Sequence, residues 1–221
     1  MRTLSGCVAP ALCAIILVGL TGCANSRDTR FYVLTALPAV ETPEGRSPGR
    51  SPAVGLHPVG LPPYLDRPQI VTRAGENMLQ LAEFDQWGAP LQDNLTRVLA
   101  ANLAILVPAG RVAVFPWMKD SPIEYEVRVE VSQLEGTLGG SCWLVADWAV
   151  SGRGGKESLA TGKSRHTEPA GASYATLVAA HSRLVAALGR DIATALKGVR
   201  LSQAAEASAG DPPRSEVRRW P

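Results

Sequence analysis

Between Tyr125 and Val131 the sequence alternates apolar and charged residues without a break, and this pattern constrains the fold more than any other feature. The apolar positions are Tyr125, Val127, Val129 and Val131. The charged positions are Glu124, Glu126, Arg128 and Glu130. Because successive side chains of a strand point to opposite faces, the pattern predicts an antiparallel strand with one buried and one solvated face. After a turn over residues 136–140, a second strand from Cys142 to Val150 is expected to return beside it.

Shorter segments predict six further strands around this hairpin. Five are apolar runs, at residues 31–34, 54–59, 69–72, 78–81 and 112–115. The sixth, residues 156–165, is more polar, and its lysines would discourage unwanted pairing, so we expect it at a sheet edge. Residues 74–77 suit a hairpin turn. Residues 40–52 are rich in proline, glycine and charge, which predicts a loop.

Apolar residues repeat at helical spacing in two segments. The first stripe contains Leu91, Leu95, Val98, Leu99, Leu103 and Leu106. Pro90 fits the first turn of this helix, where a missing N–H is harmless, and residues 108–110 are expected to end it. The second stripe contains Leu177, Val178, His181, Leu184, Val185, Leu188, Ile192 and Leu196. Ser173 is a favourable N-cap for this second helix, and Gly198 suits its C-terminal stop.

Two helices with one apolar stripe each can bury both stripes against the same sheet. We therefore predict an α+β fold, with a mainly antiparallel sheet and two amphipathic helices packed on one face, in a single domain over residues 31–200. Beyond Leu201 the chain has few large apolar residues and two adjacent prolines. Residues 201–221 are accordingly predicted to form a disordered tail.

The N-terminus has the organisation of a secretion signal. Arg2 is the only charged residue before Cys23. The apolar run from Val8 to Leu20 has the ~7–15-residue length of a signal-peptide core. It is shorter than the roughly 20 apolar residues that a membrane-spanning helix needs.

The segment Leu20-Thr21-Gly22-Cys23 resembles the lipobox of bacterial lipoproteins, in which small residues precede an obligatory cysteine. We predict a lipoprotein signal peptide over residues 1–22, attachment of acyl chains such as palmitate to Cys23, and a lipidated tether over residues 23–30. The alternatives are an uncleaved membrane anchor and a plain secretion signal with a coincidental cysteine. Palmitate labelling of Cys23 separates these interpretations.

Lipidation would determine where the mature protein resides. Two or three acyl chains, at roughly 0.8 kcal/mol for each buried methylene, would hold it at the membrane. Ala24 stands where an aspartate often retains lipoproteins at the inner membrane, so the resemblance implies the periplasmic face of the outer membrane. The seven residues from Ala24 to Arg30 span at most about 25 Å. The domain is therefore expected to lie close to its membrane, and a distant partner must reach it.

Composition argues against nucleic acid as a partner. Of the 22 Lys and Arg residues only Arg2 precedes Cys23, so the mature chain would keep 21 basic residues against 20 acidic ones. A near-neutral chain has no electrostatic reason to seek nucleic acid or anionic lipid surfaces. Cys142 would be the only remaining free thiol, which excludes an intramolecular disulfide. We expect Cys142 to pack as a small buried apolar residue.

Residues that could catalyse a reaction follow no catalytic motif. Ser141 lies in Gly-Gly-Ser-Cys-Trp rather than Gly-x-Ser-x-Gly. The histidines that could act as a base are His57, within a predicted strand, His166, which we expect to be solvated, and His181, which we expect to be a hydrogen-bonded structural residue. The sequence has neither metal-ligand spacing nor a glycine loop leading into a helix. We predict no enzyme activity, no cofactor and no metal.

One proline-rich segment is a candidate for partner contact. Residues 61–68 combine three prolines with an aromatic residue, an acid and a base. A rigid loop of this kind binds with little ordering cost. The candidate contact residues are Pro62, Pro63, Tyr64, Leu65, Asp66, Arg67 and Trp87. The alternative is a stiff connector whose Tyr64 and Leu65 pack on the core, and for Trp87 and Trp117 packing is favoured.

The same segment carries a family likeness. Phe31-Tyr-Val-Leu, the stretch from Val54 to Val71 with Pro-Pro-Tyr-Leu-Asp-Arg-Pro at its centre, and Gln86-Trp87-Gly-Ala-Pro resemble the PqiC family of ABC-type transport auxiliary lipoproteins. The likeness covers roughly residues 20 to 198 and includes Asn102-Leu103, Gly139-Gly140, Ala146-Asp147-Trp148 and the helix around His181. Gln86 departs from it, because a basic residue is expected before the tryptophan. The tail after Leu201 is also longer than the family needs.

The resemblance implies a non-enzymatic role in lipid transport between membranes. Its partners would be an inner-membrane transport component and an MCE-domain protein that forms a tunnel across the periplasm. The lipoprotein would dock the tunnel at the outer membrane and support envelope integrity, and a homo-oligomeric ring would match a ring-forming partner. Two alternatives are a general envelope-assembly lipoprotein that binds lipid or a barrel protein, and a periplasmic hydrolase.

Overall fold

Eight strands and two helices make up the computed structural model, which describes residues 27–38, 53–107, 111–118 and 120–209. The strands are β1 (Arg30–Tyr32), β2 (Ala53–Leu56), β3 (Gln69–Gly75), β4 (Met78–Trp87), β5 (Arg111–Val114), β6 (Ile123–Gly136), β7 (Ser141–Gly152) and β8 (Ser158–Pro169). The helices are α1 (Leu91–Leu106), between β4 and β5, and α2 (Tyr174–Ala209), after β8. The predicted α+β class is confirmed.

The strand pattern at Tyr125–Val131 lies in the centre of a five-stranded sheet with the order β5-β2-β6-β7-β8. Its four apolar positions are buried, and β6 pairs antiparallel with β7, as predicted. Glu126 departs from the alternation, because this charged residue is also buried. β8 occupies the edge that its polar sequence predicts, and a short 3₁₀ turn, Arg153–Gly155, joins it to β7.

Close contact between β7 and β8 depends on a glycine. A Cβ atom at Gly162 would overlap the ring of Trp148, which lies across it. The indole N–H of Trp148 donates to Ser164 Oγ at 3.0 Å on the same edge strand. Any side chain at position 162 would therefore displace the tryptophan.

The other three strands form a second sheet with the order β1-β4-β3. β3 and β4 make an antiparallel hairpin around the turn at Glu76 and Asn77, so the predicted turn is confirmed. Both strands are longer than the predicted segments 69–72 and 78–81. β1 pairs parallel to β4, with Arg30 opposite Asp85.

The strands form two sheets, and each sheet contains at least one parallel pair. We had expected a single, mainly antiparallel sheet. β2 runs parallel to both of its neighbours, β5 and β6. The reason is the connection from β2 to β5, which contains α1 and returns the chain to the end where β2 began. Parallel neighbours require a crossover of this kind, and strand patterns alone do not reveal it.

The two helices pack on each other and on the same face of the five-stranded sheet, as predicted. α1 contacts β5, while α2 contacts β7 and β8. The predicted stripe of α2 is buried along its whole length, and in α1 all stripe residues but Leu106 are buried. Each fully buried leucine contributes roughly 1.5–3 kcal/mol, so these stripes supply much of the core stability.

The ends of α2 confirm one prediction and contradict another. Ser173 caps its N-terminus, because the Ser173 hydroxyl accepts the N–H of Thr176 at 3.2 Å. Gly198 does not stop the helix, which continues to Ala209. A helical glycine costs only about 1 kcal/mol relative to alanine, and the alanine-rich residues that follow favour the helix. Tyr125 also donates to Gln203 Oε1 at 2.7 Å and ties this extension to β6.

The first part of the predicted tail is therefore helical rather than disordered. Several other predictions lie outside the described residues. They are the signal peptide at 1–22, lipidation at Cys23, the loop at 40–52, the helix stop at 108–110 and the rest of the tail from residue 210.

Candidate functional site

Two residues of the proline-rich segment point into the domain. Leu65 is buried in the core, and its N–H donates to the carbonyl of Pro62 at 3.0 Å, which closes a tight turn. Tyr64 is half-buried and donates its hydroxyl to Glu135 Oε2 at 2.9 Å. The connector interpretation therefore holds for these two side chains.

Glu135 is a fully buried carboxylate that the segment helps to satisfy. Its second oxygen accepts a hydrogen bond from Arg73 Nη2 at 2.7 Å, and the N–H of Leu134 donates to Oε2 at 3.0 Å. A buried carboxylate needs such partners, because desolvation disfavours its charged form. Burial, and then the hydrogen bond to Glu135, raises the pKa of Tyr64 well above its usual value. Tyr64 thus connects the proline segment to β6 and β3.

The remaining part of the segment opens onto a groove, which we call the Trp87 groove. It has a volume of about 480 Å³ and is lined by Asp66, Arg67, Pro68, Trp87, Gly88, Ala89 and Pro90. The N–H of Trp87 donates to the carbonyl of Pro68 at 2.7 Å and holds the two walls together. Pro63, Asp66 and Pro68 are exposed, and Arg67 is half-buried. The structure therefore brings Asp66 and Arg67 together with Trp87, while Pro62 stays outside the lining.

Trp87 forms the floor of this groove rather than a free contact surface. Its side chain is almost wholly buried, and its ring lies 6.2 Å from the ring of His181 on α2. Gln86, where the family likeness led us to expect a basic residue, lies inside the three-stranded sheet and is paired with both Phe31 and Gln69. The groove is thus a rigid apolar surface with one acid and one base at its rim.

A second arrangement was not foreseen from the sequence. After β1, residues 33–38 lie against α1 and α2, and side chains of the helices satisfy their backbone N–H groups. Leu34 donates to Asn94 Oδ1 at 2.7 Å, and Leu37 donates to Asn102 Oδ1 at 2.7 Å. Both asparagines are buried although they flank the leucine stripe of α1. A sequence signal for this arrangement was available. Two asparagines lie eight residues apart beside the apolar stripe, and a buried amide needs a hydrogen-bond partner.

The N-terminal strand is fastened at the same place. Asp85 is buried in β4 and accepts hydrogen bonds from Arg30 at 2.8 Å and from the hydroxyl of Tyr32 at 2.7 Å. Thr35 adds a backbone hydrogen bond to Ser182 on α2 at 3.1 Å. A pull on the chain before Arg30 would therefore be transmitted to both helices.

The three histidines do not converge on one site. His57 lies just after β2 rather than within a strand, 3.0 Å from Glu126 and stacked on Phe115. His181 is buried as expected, but neither of its ring nitrogens has a hydrogen-bond partner among the described residues. Burial alone lowers the pKa of His181 to about 4. Trp117 packs edge-on against His57 and covers Gly55, in line with the packing interpretation.

His166 is half-buried and bonded rather than simply solvated. Its Nε2 lies 2.7 Å from Asp191 Oδ2, and the hydroxyl of Ser164 donates to the same oxygen at 2.5 Å. Serine, histidine and aspartate are therefore close together. In a nucleophilic triad the histidine bonds the serine and the aspartate orients the histidine, whereas here serine and histidine share one carboxylate oxygen.

Cys142 packs as predicted. The side chain is fully buried, with Sγ 3.5 Å from the carbonyl oxygen of Glu168. Burial raises the pKa of this thiol to about 11, which leaves little of the reactive thiolate at neutral pH. Within the described ranges, no three His, Cys, Asp or Glu side chains are grouped so that they could hold a metal ion. Neither α1 nor α2 is long and apolar enough to cross a bilayer.

Solved structures with the same fold exist. An uncharacterised protein matches with a TM-score of 0.64 and 19% identity, over 77% of this chain and 99% of its own. A Xanthomonas campestris protein of the DUF330 family matches with a TM-score of 0.63 and 16% identity, over 79% of this chain and 99% of its own. At these identities the likeness concerns the fold alone. No curated protein matches the sequence.

A family model settles the relationship that the proline segment indicated. The model of the ABC-type transport auxiliary lipoprotein component matches residues 32–193. That range contains seven of the eight strands, α1, the Trp87 groove and most of α2. The resemblance to PqiC is confirmed, and the chain belongs to the family of ABC-type transport auxiliary lipoproteins.

Proposed function

We propose that this lipoprotein is a subunit of an MCE-type system for lipid transport between membranes, anchored at the periplasmic face of the outer membrane through Cys23. It docks the periplasmic tunnel protein there and performs no catalysis. Membership of the transport auxiliary family carries this proposal, together with the lipobox that precedes the matched residues.

The position of the groove relative to the anchor supports docking. β1 runs parallel to β4, so the chain enters β1 at Arg30 from the side where β4 begins. The Trp87 groove lies where β4 ends, at the opposite end of the three-stranded sheet. The tether reaches at most about 25 Å, so the domain stays near the membrane, and an orientation with the start of β4 toward the membrane would present this groove to the periplasm.

The groove has properties suited to a protein partner. Its walls are held by proline geometry and by the Trp87–Pro68 hydrogen bond, so little order has to be gained on binding. Asp66 and Arg67 offer one charge of each sign at the rim, where charged groups mainly determine orientation and association rate. Tyr64 and Leu65 pack against the domain beside the groove, so this proposal assigns the partner contact to the lining residues instead.

A non-enzymatic role is consistent with how the titratable side chains are used. His57 is engaged with Glu126, and His166 and Ser164 share Asp191. His181 packs inside the core. None of the three histidines hydrogen-bonds a serine or cysteine side chain among the described residues.

Isolation of the full-length protein from membranes in mild detergent tests the proposal. We expect acyl chains on Cys23 by mass spectrometry, co-purification of the MCE-domain protein, and fractionation with the outer membrane. Recovery of a protein with an unmodified Cys23, or of an acylated protein without the tunnel protein, would contradict it. Recovery of a barrel protein in place of the tunnel would favour the envelope-assembly alternative.

A further inference from the structure

The β3–β4 hairpin exposes apolar side chains beyond the part of the sheet that packs on the domain. We call residues 74–81 the hairpin tip. Met78 is 58% exposed, Leu79 39% and Leu81 45%. Because successive residues of a strand point to opposite faces, the exposure of both Met78 and Leu79 leaves neither face of the tip covered. Glu76 is the only charged residue of the tip.

The direction of β1 allows the predicted anchor to lie on the side of this tip. β1 is parallel to β4, and Arg30 lies opposite Asp85. Seven residue steps lead from Asp85 back to Met78 and cover about 23 Å along β4. Seven residue steps also lead from Arg30 back to Cys23 and can span about 25 Å. An acylated Cys23 can therefore reach the level of the hairpin tip.

We propose that the hairpin tip enters the headgroup region of the phospholipid leaflet that holds the acyl chains of Cys23. This inference rests on the lipid anchoring in the proposed function and adds a second membrane contact. Exposed apolar residues grouped with little charge are typical of surfaces that meet a membrane. Because the anchor already holds the tip near the lipid, a small apolar contribution is enough to keep it inserted.

Insertion of the tip determines how the domain is oriented. Acyl chains on a flexible tether leave the domain free to rotate, whereas a second contact removes that freedom. With the tip in the leaflet, the Trp87 groove at the other end of the sheet faces the periplasm. The same contact would therefore present the groove to an incoming partner.

Two methionines of the chain provide a matched experiment. Met78 lies at the tip, and Met118 is 82% exposed and precedes β6 by a few residues. Arg73, the residue before the hairpin tip, pairs with Glu135 near the other end of β6. The 14 residues of β6, about 45 Å in length, lie between the Arg73 contact and the segment that contains Met118. Met78→Cys and Met118→Cys variants differ in location while both start from an exposed methionine.

Each variant is made in the full-length acylated protein, labelled with an environment-sensitive fluorophore and reconstituted in vesicles. The vesicles contain phosphatidylethanolamine, phosphatidylglycerol and a brominated phosphatidylcholine that quenches on contact. We expect about twofold quenching and a blue shift for the label at position 78, and neither for the label at position 118. Leu79→Cys is labelled in parallel and should behave as Met78→Cys does.

Three outcomes would overturn the inference. Labels at positions 78 and 79 could remain as unquenched as the label at position 118. They could show energy transfer between copies without lipid quenching, which would assign the tip to contact between subunits. Equal quenching at positions 78 and 118 would indicate no preferred orientation. Acylation of Cys23 and recovery of the tunnel protein, measured on the same preparations, show whether the proposed function fails as well.

Discussion

The backbone N–H of Leu37 donates to the side-chain oxygen of Asn102 at 2.7 Å, and Asn102 is fully buried in α1. This contact joins the chain that follows the predicted tether to the interior of the helix pair. It satisfies the backbone N–H of Leu37, which is not paired in either sheet. The N-terminal segment is therefore part of the core structure rather than an appendage.

Replacement of Asn102 tests this connection. Asn102→Leu leaves the N–H of Leu37 without an acceptor, which we expect to cost about 1–3 kcal/mol of unfolding free energy. Amide hydrogen exchange should accelerate across residues 33–38. Urea unfolding and exchange mass spectrometry measure the two effects. Ile192→Val is the control, because it should cost about 1 kcal/mol without local acceleration; equal exchange in both variants would contradict the assignment.

Stability should depend on the protonation of His181. The folded state holds its pKa at about 4, below the usual value of 6.5, so between these values the unfolded chain binds more protons. Stability is therefore fully present above pH 6.5 and falls as the pH decreases toward 4, by on the order of 3 kcal/mol. Urea unfolding at a series of pH values measures the slope.

His181→Leu supplies the comparison. Leucine keeps an apolar side chain against Trp87 and cannot bind a proton, so this part of the pH dependence should disappear. An unchanged slope between pH 4 and 6.5 would show that other groups cause the acid sensitivity.

Tyr64 should prove to be structural. Tyr64→Phe removes a donor from the buried carboxylate of Glu135, and we expect a loss of about 1–2 kcal/mol. Tyr125→Phe is the matched control: it also removes a hydroxyl, but its acceptor is the exposed Gln203, so the loss should stay below about 0.5 kcal/mol. Partner recovery should be unchanged in both variants. A loss of partner by Tyr64→Phe with intact stability would return Tyr64 to the contact surface.

The rim of the Trp87 groove should determine partner binding. Asp66→Ala combined with Arg67→Ala removes one acid and one base, and we expect at least tenfold weaker recovery of the tunnel protein, about 1.4 kcal/mol. Asp147→Ala combined with Lys163→Ala removes an exposed pair of the same charges from β7 and β8. That control should bind as the unaltered protein does. Equal recovery of the tunnel protein with both variants would exclude the groove as the contact.

Local sequence patterns were sufficient to predict the elements that are defined by one apolar strand face or by one apolar helix stripe. The alternation from Tyr125 to Val131 located β6, and the leucine repeat located α1. Ser173 marked the start of α2 because its hydroxyl caps the first turn. The prediction that α2 ends at Gly198 was wrong for a physical reason. A glycine within a helix costs little stability, and the hydrogen bond from Tyr125 and the alanines after residue 203 outweigh that cost.

Contacts between distant segments were not accessible in this way. The pairing of β1 with β4 joins residues 55 positions apart, and neither segment has a sequence pattern that identifies its pairing partner. The same holds for the hydrogen bond from Tyr64 to Glu135, which ties this candidate contact residue to β6. Ser164 and His166 meet at Asp191 only because α2 crosses β8.

The sequence by itself determined the class of the protein: periodic apolar residues predict α+β layers, and a short proline motif identifies the family. Tertiary structure alone decided how the strands and helices are arranged relative to one another. The parallel register of β1 and β4 sets Arg30 opposite Asp85, with the hairpin tip where β4 begins and the Trp87 groove where β4 ends. Periodicity is a property of neighbouring residues, whereas orientation arises from pairing between segments far apart in the chain.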